Sequence, residues 1–427
     1  MSYIEIFIVL LFLLSFVLFF YFSKEITSPP KIFLIIWFFY ILSSLILLHN
    51  LYQWSYSALI WIYTDCTIYL ITFYYGCSIF VNFQNSSLKI NKYRKNIKLP
   101  IKFIVFVILL AFLYVFGIIT LNGFSISNLI NLDDVLDMNV TIAYGRYNGN
   151  NENNIFLQIL SIFVYVGPLI GGYSIVHSER KFDIIICYLT FVPSILNVLI
   201  QNTKLGVVAS VFLWVSGYFT SYLQKYKQAY RFSSKTLFKI IFLILMIVAV
   251  LYLSMLFRIG KIDVTTAKIV NHKFLSYALG HVPVFDYWFS NGRLDPVIVP
   301  GQYTFYGIYN ALNIVERDQG VYQTMVHLGP ISSNIYTLFR GMISDFGVIG
   351  GFVFQGIYGI ITGVLYGKIK YSNNENIIAQ VIIANSYFFV MHIFNSVWTY
   401  SNYILTFVIF ALYLYLINRR EKNENEL

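Results

Sequence analysis

The sequence predicts an all-α, polytopic integral membrane protein of about eleven transmembrane helices, within a range of ten to thirteen, and three observations carry that expectation. Hydrophobic residues make up 58% of the 427 and charged residues only 11%, too little polar surface to cover a soluble globule of this size. Apolar runs of about 20 residues, the length that crosses a bilayer, recur along the whole chain. The Lys and Arg residues, 29 in all, are sorted between alternate connections.

The expected spans are 3 to 22, 31 to 49, 58 to 81, 101 to 121, 155 to 176, 183 to 200, 205 to 224, 238 to 257, 346 to 366, 378 to 397 and 401 to 417. The first lacks a basic leader and a small-residue cleavage site and is too long for a signal peptide, so it reads as a retained helix. Twenty cations fall in one set of connections, around Lys24, Lys92, Arg180, Lys227, Lys370 and Arg419. The positive-inside rule makes that set cytoplasmic, which puts the N-terminus outside and the C-terminus in the cytoplasm. The remaining nine are Arg146, Lys204, Arg258, Lys261, Lys268, Lys273, Arg293, Arg317 and Arg340. Seven of these lie in one external stretch.

The chain is expected to form a single membrane domain, 1–427, carrying a large external substrate-binding loop at 258–345 and a smaller one at 122–154. The smaller is polar and acidic, and 148 to 154 reads as a mobile loop. Asp133, Asp134 and Asp137 read as a solvated acidic turn, because no further ligands follow at a metal-site spacing, and no metal site is expected. The larger loop mixes cations with histidines, acids and aromatics and has apolar runs that suit short amphipathic or re-entrant helices.

Several function classes are excluded. The net charge of +10 sits mostly in the cytoplasmic connections, where it meets anionic membrane lipid, and no nucleic-acid partner is expected. No GxxxxGK[ST] or glycine-rich loop after a strand is present, which argues against ATP-driven transport by this chain, and no cofactor is expected. Cys66, Cys77 and Cys187 all fall inside spans without CxxC spacing, which argues against a disulfide framework or zinc site. The abundant Tyr and Phe residues suit an interfacial belt.

Cations held on the side that topology disfavours point to an anionic ligand. Guanidinium binds phosphate oxygens with two parallel hydrogen bonds and keeps its charge, so Arg258, Arg293, Arg317 and Arg340 are candidate substrate-binding groups, together with Lys204. The competing expectation is local pairing with Asp263, Asp295, Asp318 and Asp345, or snorkelling to lipid phosphates. Arg258 and Arg340 stand out because each abuts the end of a span. His281, His327 and Asp286 are the candidate bases, each set against the plainer expectation of a hydrogen-bonding surface group. The segment 345 to 367 carries glycines four apart, a small-residue stripe that suits helix packing, and Asp345 stands where an N-cap belongs.

The layout of about eleven spans with one large late external loop resembles the bacterial oligosaccharide repeat-unit polymerases, the O-antigen or capsule polymerases of the Wzy type. The residues that carry the likeness are Phe257-Arg258, then Tyr277, Gly280, Phe285 and Trp288, GQYTFYGI at 301 to 308, and NIYTLFRGMISDFGVIGG at 334 to 351. NTKLGVV at 202 to 208 is similar to a family segment that usually carries Arg where this chain has Lys204. Arg340 and Gly351 match the family's Arg followed eleven residues later by Gly.

The resemblance implies a metal-independent glycosyltransferase of the bacterial cytoplasmic (inner) membrane. Its substrate would be undecaprenyl-diphosphate-linked oligosaccharide, and a chain-length regulator protein would be a partner. Preorganised cations would stabilise the departing diphosphate, and Trp288, Tyr303 and Tyr306 would offer flat faces to sugar rings. Two alternatives remain open from the sequence, a flippase or transporter of the same lipid-linked glycan and an O-antigen ligase. Against the transporter, the cations crowd one loop instead of lining helices at the midplane, and no repeat is visible.

Overall fold

The computed structural model describes residues 3–22, 25–48, 52–83, 99–147, 154–201, 204–231, 264–292, 295–316, 322, 324–328, 331–373 and 376–425, with scattered residues between 233 and 256. The described residues are predominantly helical. In chain order its elements are α1 (Tyr3–Phe22), α2 (Pro29–Leu47), α3 (Ser57–Phe83), α4 (Ile101–Leu121), a 3-10 turn (Ile126–Ile130), α5 (Leu132–Tyr147), α6 (Ile155–Ser161), α7 (Phe163–Ile175), α8 (Lys181–Leu189), α9 (Val192–Gln201) and α10 (Lys204–Tyr226). They continue with α11 (Val264–Leu279), α12 (His281–Ser290), α13 (Tyr306–Ala311), a short antiparallel hairpin of β1 (Val326–Leu328) and β2 (Ile331–Ser333), then α14 (Leu338–Tyr371), α15 (Ile377–Met391) and α16 (Ser401–Asn425).

Among the described residues, seven helical stretches are long and apolar enough to cross a membrane, and Tyr3–Leu18 and Ile377–Met391 are shorter apolar helices. The fold is that of a multi-pass helical membrane protein. Most of the span expected at 238–257 lies outside the described residues. Two compact units make up the chain, one of Met1–Arg94, Tyr226–Arg231 and His272–Ile404, the other of Lys95–Lys225, Phe232–Asn271 and Leu405–Leu427.

In the first unit, α3 and α14 pack along their length and run in the same direction. Trp61 lies against Gly351, Tyr69 and Thr72 against Gly359, Phe73 against Gly363, and Cys77 and Phe80 against Gly367. The register is constant: Trp61, Tyr69, Phe73 and Cys77 each meet the glycine 290 positions further along, and Thr72 and Phe80, one turn on from Tyr69 and Cys77, meet the same glycines 287 positions further along. A Cβ on Gly363 would collide with the Phe73 carbonyl, so the glycine stripe lets the two backbones meet, as the spacing predicts. Within the same register Asp65 of α3 stands opposite Gln355 of α14, and both are fully buried.

Helix α14 begins at Leu338, well before the predicted start, and Asp345 is not its N-cap: Thr337 holds that position. Helix α14 consists of two helical segments joined at Gly347, whose φ of 76° and ψ of 172° only glycine adopts freely. Asp345 therefore ends a first helical segment and is free to serve a different backbone. The foot of α14 collects cations. Lys370 pairs with Glu25, and Lys227 Nζ donates to the carbonyls of Ile369 and Ser372, 2.9 Å each, the arrangement a helix C-terminus favours. Arg340 is at the other end, beyond the break at Gly347, and the uninterrupted helix from Val348 to Lys370 alone rises about 33 Å.

In the second unit α7 contains Pro168, which has no N–H to offer the carbonyl of Val164 four residues earlier. Ser194 of α9 supplies the missing donor, its Oγ reaching Val164 O at 3.0 Å. Residues 132–147, expected as part of a solvated loop, form a docked helix instead. Met138 and Ile142 of α5 join a core with Val115, Ile119 and Ile200, and Asn139 Nδ2 donates to Leu199 O at 2.6 Å. Asp133 and Asp137 lie on its exposed side, one helical turn apart, which is why an acidic run reads as solvated in sequence while its opposite face is buried.

Candidate functional site

The segment from His281 to Arg340 builds the site on the first unit. Helix α12 buries His281, Val282, Pro283, Val284, Phe285, Asp286 and Trp288. Asp286 is fully buried, and its carboxylate accepts from Tyr52 Oη at 2.9 Å, from Ser55 N at 2.8 Å and from Ser55 Oγ at 2.8 Å. Those donors lie just ahead of α3, so Asp286 acts as a cap delivered from another helix, where unpaired amides and the helix dipole favour a negative charge. Burial pushes its pKa up from the ordinary carboxylate value, and the Ser55 and Tyr52 hydrogen bonds oppose that rise.

At the head of α14, Arg340 is 2% exposed. Its Nε donates to Asp295 Oδ2 at 2.9 Å and its Nη2 to Asp295 Oδ1, and Ser344 Oγ, one turn on, reaches Asp295 at 2.7 Å. The guanidinium carbon lies 3.8 Å from the ring centres of both Tyr322 and Tyr336 and 5.2 Å from that of Trp288. Tyr303 stacks on Tyr322 with ring centres 5.5 Å apart. Cation–π attraction to desolvated rings and a two-pronged carboxylate contact together hold a charge that burial alone would expel. Nη1 has no hydrogen-bond partner among the described residues.

Asp345 completes the frame by accepting from the amides of Tyr303 at 3.0 Å and Thr304 at 2.6 Å. This fixes the turn that starts at Gly301, whose φ is +84°. The Tyr303 hydroxyl donates to Pro296 O at 2.9 Å, so the ring is anchored at both ends.

The expected site residues therefore separate. Arg340, Trp288 and Tyr303 come together around one guanidinium, and Asp295, Tyr322 and Tyr336 complete the group. Asp295 was visible in sequence only as one of four carboxylates that an arginine might meet; Tyr336 entered only as part of the segment 334 to 351, and Tyr322 carried no signal beyond the general abundance of tyrosine. His281 is buried, with Nδ1 3.4 Å from Ile335 O and its ring T-stacked on Phe394. Burial pushes its imidazole down to about 4, against the hydrogen bonds to Ile335 and Tyr277 that raise it. His327 is on the exposed side of β1, its Nδ1 3.0 Å from Ser332 Oγ. Lys204 is the first residue of α10, and its side chain, like Arg258, Arg293 and Arg317 altogether, lies outside the described residues.

Among the described residues no cluster of His, Cys, Asp and Glu is placed to hold a metal ion. What the geometry offers is a desolvated, preorganised cation with an aromatic wall. No family model, no curated protein and no solved structure matches this chain.

Proposed function

We propose that this chain polymerises undecaprenyl-diphosphate-linked oligosaccharide repeat units on the external face of the bacterial cytoplasmic membrane. The acceptor hydroxyl oxygen of one lipid-linked unit forms a bond to the anomeric carbon of the glycan on another carrier. The bond from that carbon to the diphosphate breaks, the diphosphate leaves with the electron pair, and the acceptor hydroxyl gives up its proton.

The observation that carries this reading is Arg340: enclosed by aromatic rings, fixed by Asp295, and left with a buried Nη1 that no described protein atom takes, so that an acceptor reaching it must enter the aromatic enclosure. A phosphate oxygen is the kind of acceptor that this nitrogen suits, and a donor fixed before charge develops stabilises a leaving diphosphate without reorganisation. The separation of Arg340 from the Lys370 and Lys227 end of α14 supports an outward-facing site, because the positive-inside rule assigns those lysines to the cytoplasm. The aromatic neighbours Trp288 and Tyr303 suit sugar faces.

Deletion tests the reading. The expected product is surface glycan of one repeat unit, with carrier synthesis and export continuing. Accumulation of single repeats on the cytoplasmic leaflet would point to a flippase, and long chains retained on the carrier would point to a ligase.

A further inference from the structure

The segment that precedes α3 and the end of α12 enclose an open cavity of about 380 Å³ that is separate in composition from the Arg340 group. Its walls include Tyr52, Gln53, Ser55, Tyr287, Ser290 and Asn291. Among the described residues no Lys, Arg, Asp or Glu lines it, so its described walls offer no charged group to phosphate or to a cation. Tyrosine rings, amides, hydroxyls and the apolar side chain of Leu328 form the lining, a set that matches a neutral sugar, whose C–H faces pack on apolar groups while its hydroxyls reach polar side chains.

The walls are fixed before any ligand arrives. Tyr52 Oη donates to Asp286, which leaves it lone pairs to offer a ligand hydroxyl, whereas Ser55 Oγ is held among Asp286, Ser57 and Ser290. Ser290 Oγ lies within hydrogen-bond reach of the Asp286 carbonyl and of Ser55 Oγ. Asn291 Nδ2 donates to Tyr287 O at 2.6 Å, and the residue is exposed, so its amide oxygen is available as a further acceptor. Tyr52 stands edge-on to buried Trp54, ring centres 5.0 Å apart. An acceptor-rich rim is suited to a ligand that brings several hydroxyl donors, and rigidity lowers the ordering cost of a small ligand.

We propose that this cavity is a neutral-sugar subsite, distinct from the Arg340 group, that holds one residue of the glycan. The assignment of that sugar to a polymerising glycan rests on the function proposed above; the binding of a sugar does not.

The test is saturation-transfer NMR on the purified full chain in detergent. The probes are free glucose, galactose, N-acetylglucosamine, N-acetylgalactosamine and rhamnose, with glycerol as the control for nonspecific contact. The expected result is transfer to the ring protons of at least one sugar and none to glycerol. Tyr287→Ala should weaken that binding at least tenfold, Tyr287→Phe should retain it, and Arg340→Ala, provided it folds, should leave it unchanged. Absence of transfer to every sugar from folded wild-type protein, or undiminished transfer in Tyr287→Ala, overturns the subsite. Sugar binding that survives alongside normal polymer in a deletion strain would instead overturn the polymerase reading and leave the subsite standing.

Discussion

Arg340 and Asp295, 45 positions apart in the chain, meet through two hydrogen bonds beneath the rings of Tyr322 and Tyr336. The pair ties the start of α14 to the segment that follows α12, so the charge and the scaffold share one contact. Arg340→Ala should reduce polymer length sharply, with about 2 to 4 kcal/mol of barrier stabilisation lost if Nη1 contacts the leaving group. It also strands Asp295, which costs stability. The exchange Arg340→Asp with Asp295→Arg separates the two effects: we expect membrane-inserted protein to recover by immunoblot while polymer stays short. Full recovery of polymer length would make the pair a scaffold alone. Arg340→Lys should rescue only in part, because a point charge lacks the planar fork.

His281 gives a pH signature. Its folded value near 4 lies below its ordinary 6.5, so between these values the unfolded chain takes up a proton that the folded protein refuses. Stability from this group is therefore complete above pH 6.5 and falls as pH drops towards 4, by about 3 kcal/mol in all. Thermal melting of the detergent-solubilised protein should show a flatter dependence over that interval in His281→Phe. Identical slopes in the two proteins would mean that the imidazole is hydrated.

Asp286→Asn should lower the melting temperature, because three donors ahead of α3 lose their anionic acceptor. Loss of one charge-assisted contact is worth about 1.5 to 3 kcal/mol. Were Asp286 the general base instead, polymerisation would vanish at unchanged stability.

Asp65 and Gln355 occupy matching positions of the α3–α14 pair, fully buried, and among the described residues neither side chain has a hydrogen-bond partner. An unpaired buried amide costs about 1 to 3 kcal/mol. Gln355→Leu should accordingly raise the melting temperature. A fall would reveal that Gln355 bonds to something within the helix pair.

Orientation is tested by reporter fusions. Those after Asn91 and Lys227 should be cytoplasmic and those near Asn150 and Gln319 external. A cytoplasmic reporter at Gln319 would remove the basis for an outward-facing site.

The helical membrane class was legible in the sequence because apolar length and charge sorting are local properties: a run of twenty apolar residues needs a bilayer whatever its neighbours do. The packing role of Gly351, Gly359, Gly363 and Gly367 was legible for the same reason, since a four-residue spacing fixes a helix face. The acids of α5 misled because the carboxylates of Asp133 and Asp137 hid an apolar face that only its docking on Ile200 makes visible. Asp345 misled because hydropathy marks where a helix enters lipid, whereas α14 starts earlier, at Thr337 and Leu338, and breaks at Gly347. Which carboxylate meets Arg340, and that Asp286 serves the start of α3, were decided by tertiary structure alone. Both contacts join residues far apart in the chain, and the sequence lists every possible partner without the geometry that chooses among them.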